Sequence, residues 1–374
     1  MTAAPSIRDL RTFHIASLDG LRGLAALIVV LSHTSIYGFF AVPGANFRGI
    51  GKSGVFLFFV LSAFLLTRPL LSRGLESLAP KQLGVFFWRR FLRIYPLYAL
   101  YLLAAVVTTL HLTPTLAGQP IALPFALDWE GVADQLLLRE GYGLTWSIVV
   151  EFKFYFVLPF LAAALGLLLA RGGRAFAVAG VFVAWALLLV WRAATGAEFH
   201  ILHTLSYAEL FLGGSLVAVL FSRGEGEYPH VWGALAAVAA VALVLTIPSL
   251  HSRLVAEVGP GHFHESILLF TAIWVAVLAW AQFDGPVARA LFANPVMRWL
   301  GDISFSLYLL HSPVLDVVAR LGLGSTVSFW LVLALSLALS TVSYRLVERP
   351  LFRLGRRRME RTPGVTGTVQ PVTP

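Results

Sequence analysis

Arg22 and His33 are eleven residues apart in a stretch that is otherwise almost wholly apolar, and they are the first residues in this chain with chemistry to offer. On a helix that interval is a rise of about 16 Å with a rotation within about 20° of whole turns, so both side chains lie on one stripe. The arginine then stands at one mouth of a membrane span and the histidine near mid-membrane. This layout suits an anionic ligand gripped at the mouth and a proton acceptor deeper in. The alternative is that Arg22 snorkels and His33 serves as polar glue between helices. A titratable group in hydrocarbon costs a few kcal/mol, which makes each one a functional candidate when it faces the protein interior.

Three more positions compete for that status. Glu151 lies about 9 Å below the end of its own span, near the level of His33, where a carboxylate would orient an imidazole and favour its protonated form. Lys153 stands two residues on, pointing to a different face. His311 falls about 12 Å into a later span; it either joins the site or satisfies backbone carbonyls near Pro313. Ser62, with Ala63 among Phe58, Phe59 and Phe64, suits close helix approach better than nucleophilic attack, since no base is evident beside it. Arg89, Arg90 and Arg93 form either a topological cluster or a phosphate-binding patch for a nucleotide-containing donor. No glycine-rich phosphate loop accompanies them. His200, His203, His262 and His264 lack carboxylate partners at ligand spacing, so no metal site is expected.

The elements that hold these residues follow from composition. Of 374 residues, 58% are hydrophobic and 13% charged, against roughly 25% charged in a soluble domain. With no cysteine, disulfides, thiolate metal sites and S-acyl intermediates are excluded. The formal charge of +9 is spread between apolar runs, so no nucleic-acid surface is expected. At about 20 residues per crossing, the sequence predicts an all-α integral membrane bundle of about ten helices, near 21–40, 54–72, 91–112, 145–170, 175–192, 207–221, 231–248, 266–282, 303–321 and 326–344. The first is read as a retained span, not a signal peptide. With both termini cytoplasmic, twenty-one Lys and Arg fall inside and five outside, as the positive-inside rule requires. The connector 113–144, with Asp128, Glu130, Asp134 and Glu140, is either a surface-lying segment or a solvated loop. Residues 1–352 form the transmembrane domain and 353–374 a basic, then flexible, cytoplasmic tail.

Five ordered motifs carry a resemblance. Leu18-Asp19-Gly20-Leu21-Arg22-Gly23 through His33, Gly54 to Leu65, Arg89-Arg90-Phe91-Leu92-Arg93-Ile94-Tyr95-Pro96, Thr145-Trp146-Ser147 with Glu151 and Phe154-Tyr155, and Gly301 to His311 together resemble membrane acyltransferase family 3, integral-membrane O-acyltransferases. The sequence departs from the family pattern at Phe56, where an acidic residue is usual, and at Ala63, where glycine is usual and slightly wider helix spacing is therefore expected. No hydrolase-like domain is expected after the last span.

The resemblance implies transfer of an acyl group, often acetyl from acetyl-CoA, to a hydroxyl of a carbohydrate, glycolipid or secondary metabolite in the cell (inner) membrane. It implies His33 as general base oriented by Glu151, with Arg22 at the mouth and the donor held by Arg89, Arg90 and Arg93. Trp146, Ser147, Tyr155, Ser62, Tyr308 and His311 then form acceptor or supporting positions. Acyl-CoA is a co-substrate and no cofactor is permanently bound; the partners are donor, hydroxylated acceptor and lipid bilayer. The competing reading is a secondary transporter of an anionic metabolite, although the two related halves usual in such proteins are not found. A non-catalytic scaffold is a third.

Overall fold

A computed structural model describes residues 15–112, 115–116, 119–120, 123–196, 198–222 and 228–360. The fold is all-helical, apart from a two-residue antiparallel ladder pairing Thr115–Leu116 with Gln119–Pro120. Its elements are α1 (Ala16–Ile36), α2 (Gly51–Leu71), α3 (Pro80–Val107), α4 (Trp129–Leu136), α5 (Trp146–Thr195), α6 (Ala208–Leu220), α7 (Pro229–Leu245), α8 (Pro248–Leu254), α9 (Ile267–Ala281), α10 (Pro286–Phe292), α11 (Pro295–Asp302), α12 (Ser304–Ala319), α13 (Ser325–Ser343) and α14 (Arg349–Glu360). Local chemistry explains several starts. Proline opens α3, α7, α8, α10 and α11, where the amide it lacks has no helical partner anyway. Asp128 caps α4 by accepting from Gly131 N at 2.8 Å, and Asn294 caps α11 by accepting from Met297 N at 3.0 Å.

All ten segments expected to be apolar helices are helical, but their lengths differ from ten standard crossings. Among the described residues, five helical stretches are long and apolar enough to cross a membrane, or seven when each bent pair counts as one. Segments 145–170 and 175–192 are, as expected, two helices; they follow each other directly within α5 and are separated at Gly173, whose φ of 74° is one that glycine adopts without steric penalty. The pairs α7–α8 and α9–α10 bend by 90° and 112°. With 13 and 16 residues, α6 and α12 fall short of a full bilayer crossing. The expected tail is helical through Glu360, because α14 runs across the anticipated boundary at 352. Residues 1–14, 197, 223–227, 361–374 and most of 113–122 lie outside the described residues.

At the centre, α2 packs against α1, α5, α6 and α9. Phe56, Phe59, Phe64, Tyr155, Tyr207, Phe211 and Trp274 are each almost fully buried around it. The Trp274 indole donates to the Ser53 carbonyl at 2.9 Å, so the largest core side chain leaves no unsatisfied donor. Large apolar side chains such as Phe156, Phe160, Phe182, Val190, Val238 and Trp330 point outward from α5, α7 and α13. An apolar outer belt over a packed interior is the arrangement of a protein solvated by lipid.

Glycine sets the position of α1. A Cβ on Gly20 would strike the Phe292 backbone, one on Gly23 would come within 2.7 Å of the Met297 carbonyl oxygen, and one on Gly301 would strike the Asp19 backbone. These three contacts hold α1 flush against α10 and α11, with Arg22 between the first two. The Ala63 contact is equally close: a Cβ on the facing Gly214 would lie 2.8 Å from the Ala63 Cβ. The wider spacing expected there is absent because α6 supplies the glycine that α2 lacks.

Candidate active site

Two adjoining polar assemblies occupy the interior. In the first, α1 and α12 bring His33 and His311 together, with Nδ1 of His33 2.7 Å from Nε2 of His311. The ring planes are 11° apart and the centroids 5.0 Å, a separation that fits rings meeting edge to edge along the hydrogen bond. His311 is fully buried, and its Nδ1 lies 2.9 Å from the Leu307 carbonyl oxygen. Proton positions follow from this pattern. A carbonyl only accepts, so Nδ1 of His311 carries the proton and its Nε2 is bare; His33 must then donate from Nδ1. When both rings are neutral, Nε2 of His33 is left as a free proton acceptor.

The second assembly is a cavity of about 270 Å³ enclosed mainly by α1, α2, α3, α5 and α12. Arg22, Arg90 and Arg93 supply its cationic wall, and Ser62, Ser147, Glu151, Tyr155, Ser304 and Tyr308 supply hydroxyls and a carboxylate. Val55, Phe58, Phe59, Leu61, Leu65 and Ile94 make the rest largely apolar. This is just below the roughly 300–1,000 Å³ of small-molecule sites. His33 is not on this wall, although part of its surface remains accessible. Tyr308 links the two assemblies: its hydroxyl contacts Ser147 Oγ at 2.8 Å and donates to the Leu144 carbonyl at 2.8 Å, while its ring centre lies 6.4 Å from that of His311.

Glu151 was expected to orient His33, and the structure pairs it elsewhere. Its Oε1 accepts from the Tyr155 hydroxyl at 2.5 Å, one turn along the same helix. Tyr155 in turn lies 3.1 Å from Ser62 Oγ. Ser62 therefore faces the cavity with a carboxylate-linked partner, and the close helix approach expected of it belongs to neighbouring Ala63. Lys153 points away from Glu151 and donates to the Leu202 carbonyl at 3.4 Å.

The arginine cluster divides. Arg90 and Arg93 reach the cavity wall, whereas Arg89 is exposed and lies off it. Trp146 is also off the wall; it stacks on Tyr207 at 5.3 Å and meets Phe59 edge-on at 6.1 Å, supporting the floor from behind. Phe56, where an acidic residue was noted as usual, is fully buried against Tyr207 and Phe270.

Two polar pairings had no spacing signal. Glu209, 2% exposed in the first turn of α6, forms an ion pair with Arg192 at the end of α5. Glu348 is buried at the foot of α13 and accepts from Ser306. Each joins residues from distinct helices. Carboxylates enclosed by apolar sequence at 209 and 348 were the available hint.

The family model described as an acyltransferase domain, that of acyltransferase family 3, matches residues 15–345. The peptidoglycan O-acetyltransferase OatA of Listeria monocytogenes is 25% identical over 365 residues, covering 91% of this chain and 56% of that protein. The putative peptidoglycan O-acetyltransferase YrhL of Bacillus subtilis is 24% identical, covering 93% of this chain and 56% of YrhL. The acyltransferase MdmB of Streptomyces mycarofaciens is 28% identical, covering 93% of this chain and 94% of MdmB. The chain thus spans about half the length of OatA and YrhL. No solved structure matches.

Proposed function

The chain belongs to acyltransferase family 3, and on that premise we propose that it is a membrane O-acyltransferase moving an acyl group, acetyl in the simplest case, from acyl-CoA to a hydroxyl. The acceptor is a carbohydrate, glycolipid or secondary metabolite. Peptidoglycan, named in OatA and YrhL, falls within the first class; MdmB is named without an acceptor. One observation carries the reading: a cavity with three arginines on its wall adjoins a histidine pair whose hydrogen bonding leaves one ring nitrogen bare.

Each part has a physical role in that reaction. Arg90 and Arg93 match donor phosphates, because a guanidinium fork offers paired donors to phosphate oxygens. The apolar cavity takes the thioester arm, and Arg22 contributes positive charge where the carbonyl oxygen becomes an oxyanion. His33 accepts the acceptor hydroxyl's proton at Nε2. The imidazolium so formed stays oriented by its Nδ1–H bond to His311, which thereby does the work anticipated of Glu151. With both termini cytoplasmic, the arginine-lined end faces the compartment that holds acyl-CoA.

The test is CoA release by the purified full chain, with and without soluble peptidoglycan fragments and a lipid extract of the host envelope. Acceptor-dependent CoA release with acyl product supports the enzyme. Uptake of an anion into vesicles without acyl-CoA consumption would replace it with the transporter reading.

A further inference from the structure

The hydrogen bonds around Ser62 have a fixed direction. The Glu151 carboxylate accepts, so the one phenolic proton of Tyr155 is committed to it across 2.5 Å. The Tyr155 oxygen can then only accept from its other neighbour, Ser62 Oγ at 3.1 Å. The result is a chain running Ser62 to Tyr155 to Glu151, with all three residues on the cavity wall. It is a serine hydroxyl with an ordered route for its proton, as an activated nucleophile requires. The base proposed for the acceptor, His33, belongs to a separate hydrogen-bonded pair off that wall. One cavity thus holds a nucleophile with its own proton sink, and the second assembly holds a separate proton acceptor.

From this we propose that Ser62 carries the acyl group covalently, so that transfer proceeds in two half-reactions; the proposal rests on the O-acyltransferase reading above. In the first, Ser62 Oγ bonds to the thioester carbonyl carbon and the C–S bond breaks. The Ser62 proton passes to Tyr155 as the Tyr155 proton passes to Glu151. CoA departs as the thiolate and takes a proton from water. In the second, the acceptor oxygen bonds to the same carbonyl carbon and the Ser62 ester bond breaks. The acceptor's proton goes to His33 and then to solvent, while the proton held on Glu151 returns through Tyr155 to Ser62. Arg22, on the same wall, faces the oxyanion of both steps.

The experiment uses the purified full chain in lipid nanodiscs with radiolabelled acetyl-CoA and no acceptor, quenched in acid and mapped by peptide mass spectrometry. The expected result is a burst of up to one CoA per protein with a single acetyl on Ser62. Ser62→Ala shows neither burst nor label. Ser62→Cys, which keeps a nucleophile at that position, retains the burst and yields a hydroxylamine-labile thioester. Tyr155→Phe slows the burst by about 10²–10⁴-fold, the range for loss of proton transfer, and His33→Ala keeps the burst but does not turn over. Wild-type protein that consumes acetyl-CoA with soluble peptidoglycan fragments or host lipid extract yet bears no acetyl on Ser62 overturns the proposal. Label on another residue, or Ser62→Ala turning over at the wild-type rate, overturns it equally. Protein that consumes acetyl-CoA under none of these conditions instead removes the acyl-CoA reading on which it rests.

Discussion

At the scale of single residues, the His33–His311 pair makes the sharpest claim. In the proposed reaction His311 fixes the proton of His33 on Nδ1, so its replacement should matter in proportion to whether the new side chain can still accept. His311→Leu is expected to lower acceptor-dependent turnover by about 10²–10⁴-fold, whereas His311→Gln, whose amide oxygen can accept from Nδ1, should retain more of it. His33→Ala should cost at least as much as His311→Leu, and the double variant little more than His33→Ala alone, since the two act as a unit. Steady-state CoA release on folded, monodisperse protein measures all four; equal loss for Leu and Gln at 311 would remove the positioning role. The arginines give a second test. Arg90→Gln and Arg93→Gln should each raise the donor KM about ten-fold with a smaller change in kcat, as loss of a charged hydrogen bond worth ~1.5 kcal/mol predicts, and exposed Arg89→Gln should move KM less.

These residues were legible in the sequence to different degrees, and the reason is geometric. Helical rise reads off the depth of a side chain in the membrane, and it brought His33, Glu151 and His311 to a common level. Depth is one coordinate of three. Which helix stands beside which, and how each is rotated, depends on packing, and that is why Glu151 was matched to His33 when its partner is Tyr155 on its own helix. The Ser62 contact with Tyr155 was hidden for the same reason, because it joins α2 to α5.

At the scale of elements, the glycines of the opening motif have a mechanical explanation independent of chemistry. Gly20 and Gly23 admit the backbones of α10 and α11, and Gly301 admits α1 in return. Gly20→Ala or Gly301→Ala therefore forces α1 away from its neighbours, at a cost of about 1–3 kcal/mol or more for overpacking against backbone that cannot yield. Because Arg22 and His33 ride on α1, the same change should lower turnover at temperatures where the protein is still folded. Gly84→Ala is the control: nothing lies within 4 Å of a Cβ there, and a mid-helix alanine is favoured by up to ~1 kcal/mol. Thermal unfolding in one detergent compares the three. The pair between α5 and α6 behaves differently. Glu209→Ala strands Arg192 with only the Leu205 carbonyl, a loss of about 1–3 kcal/mol that should appear as lowered stability with little change in donor KM.

For the whole molecule, the distribution of Lys and Arg makes an orientation claim that composition alone supports and that the proposed reaction needs. Hydropathy located ten apolar segments that are helical because each is apolar around most of its circumference. It missed the two sharp bends, between α7 and α8 and between α9 and α10, because a bend leaves hydropathy unchanged while altering where the chain turns. If the turn between α2 and α3 is cytoplasmic, Arg90 and Arg93 in the first half of α3 open toward acyl-CoA; were it external, the donor would face a compartment without it. The absence of native cysteine makes the test direct. Leu75→Cys, in the turn after α2, should react with a membrane-impermeant maleimide only after cells are permeabilised. Tyr142→Cys before α5 and Val255→Cys after α8 should react in intact cells, since all three side chains are exposed. Labelling of position 75 from outside would place the arginine-lined mouth away from the donor, and with it the order of the two half-reactions would have to be reversed across the membrane or given up.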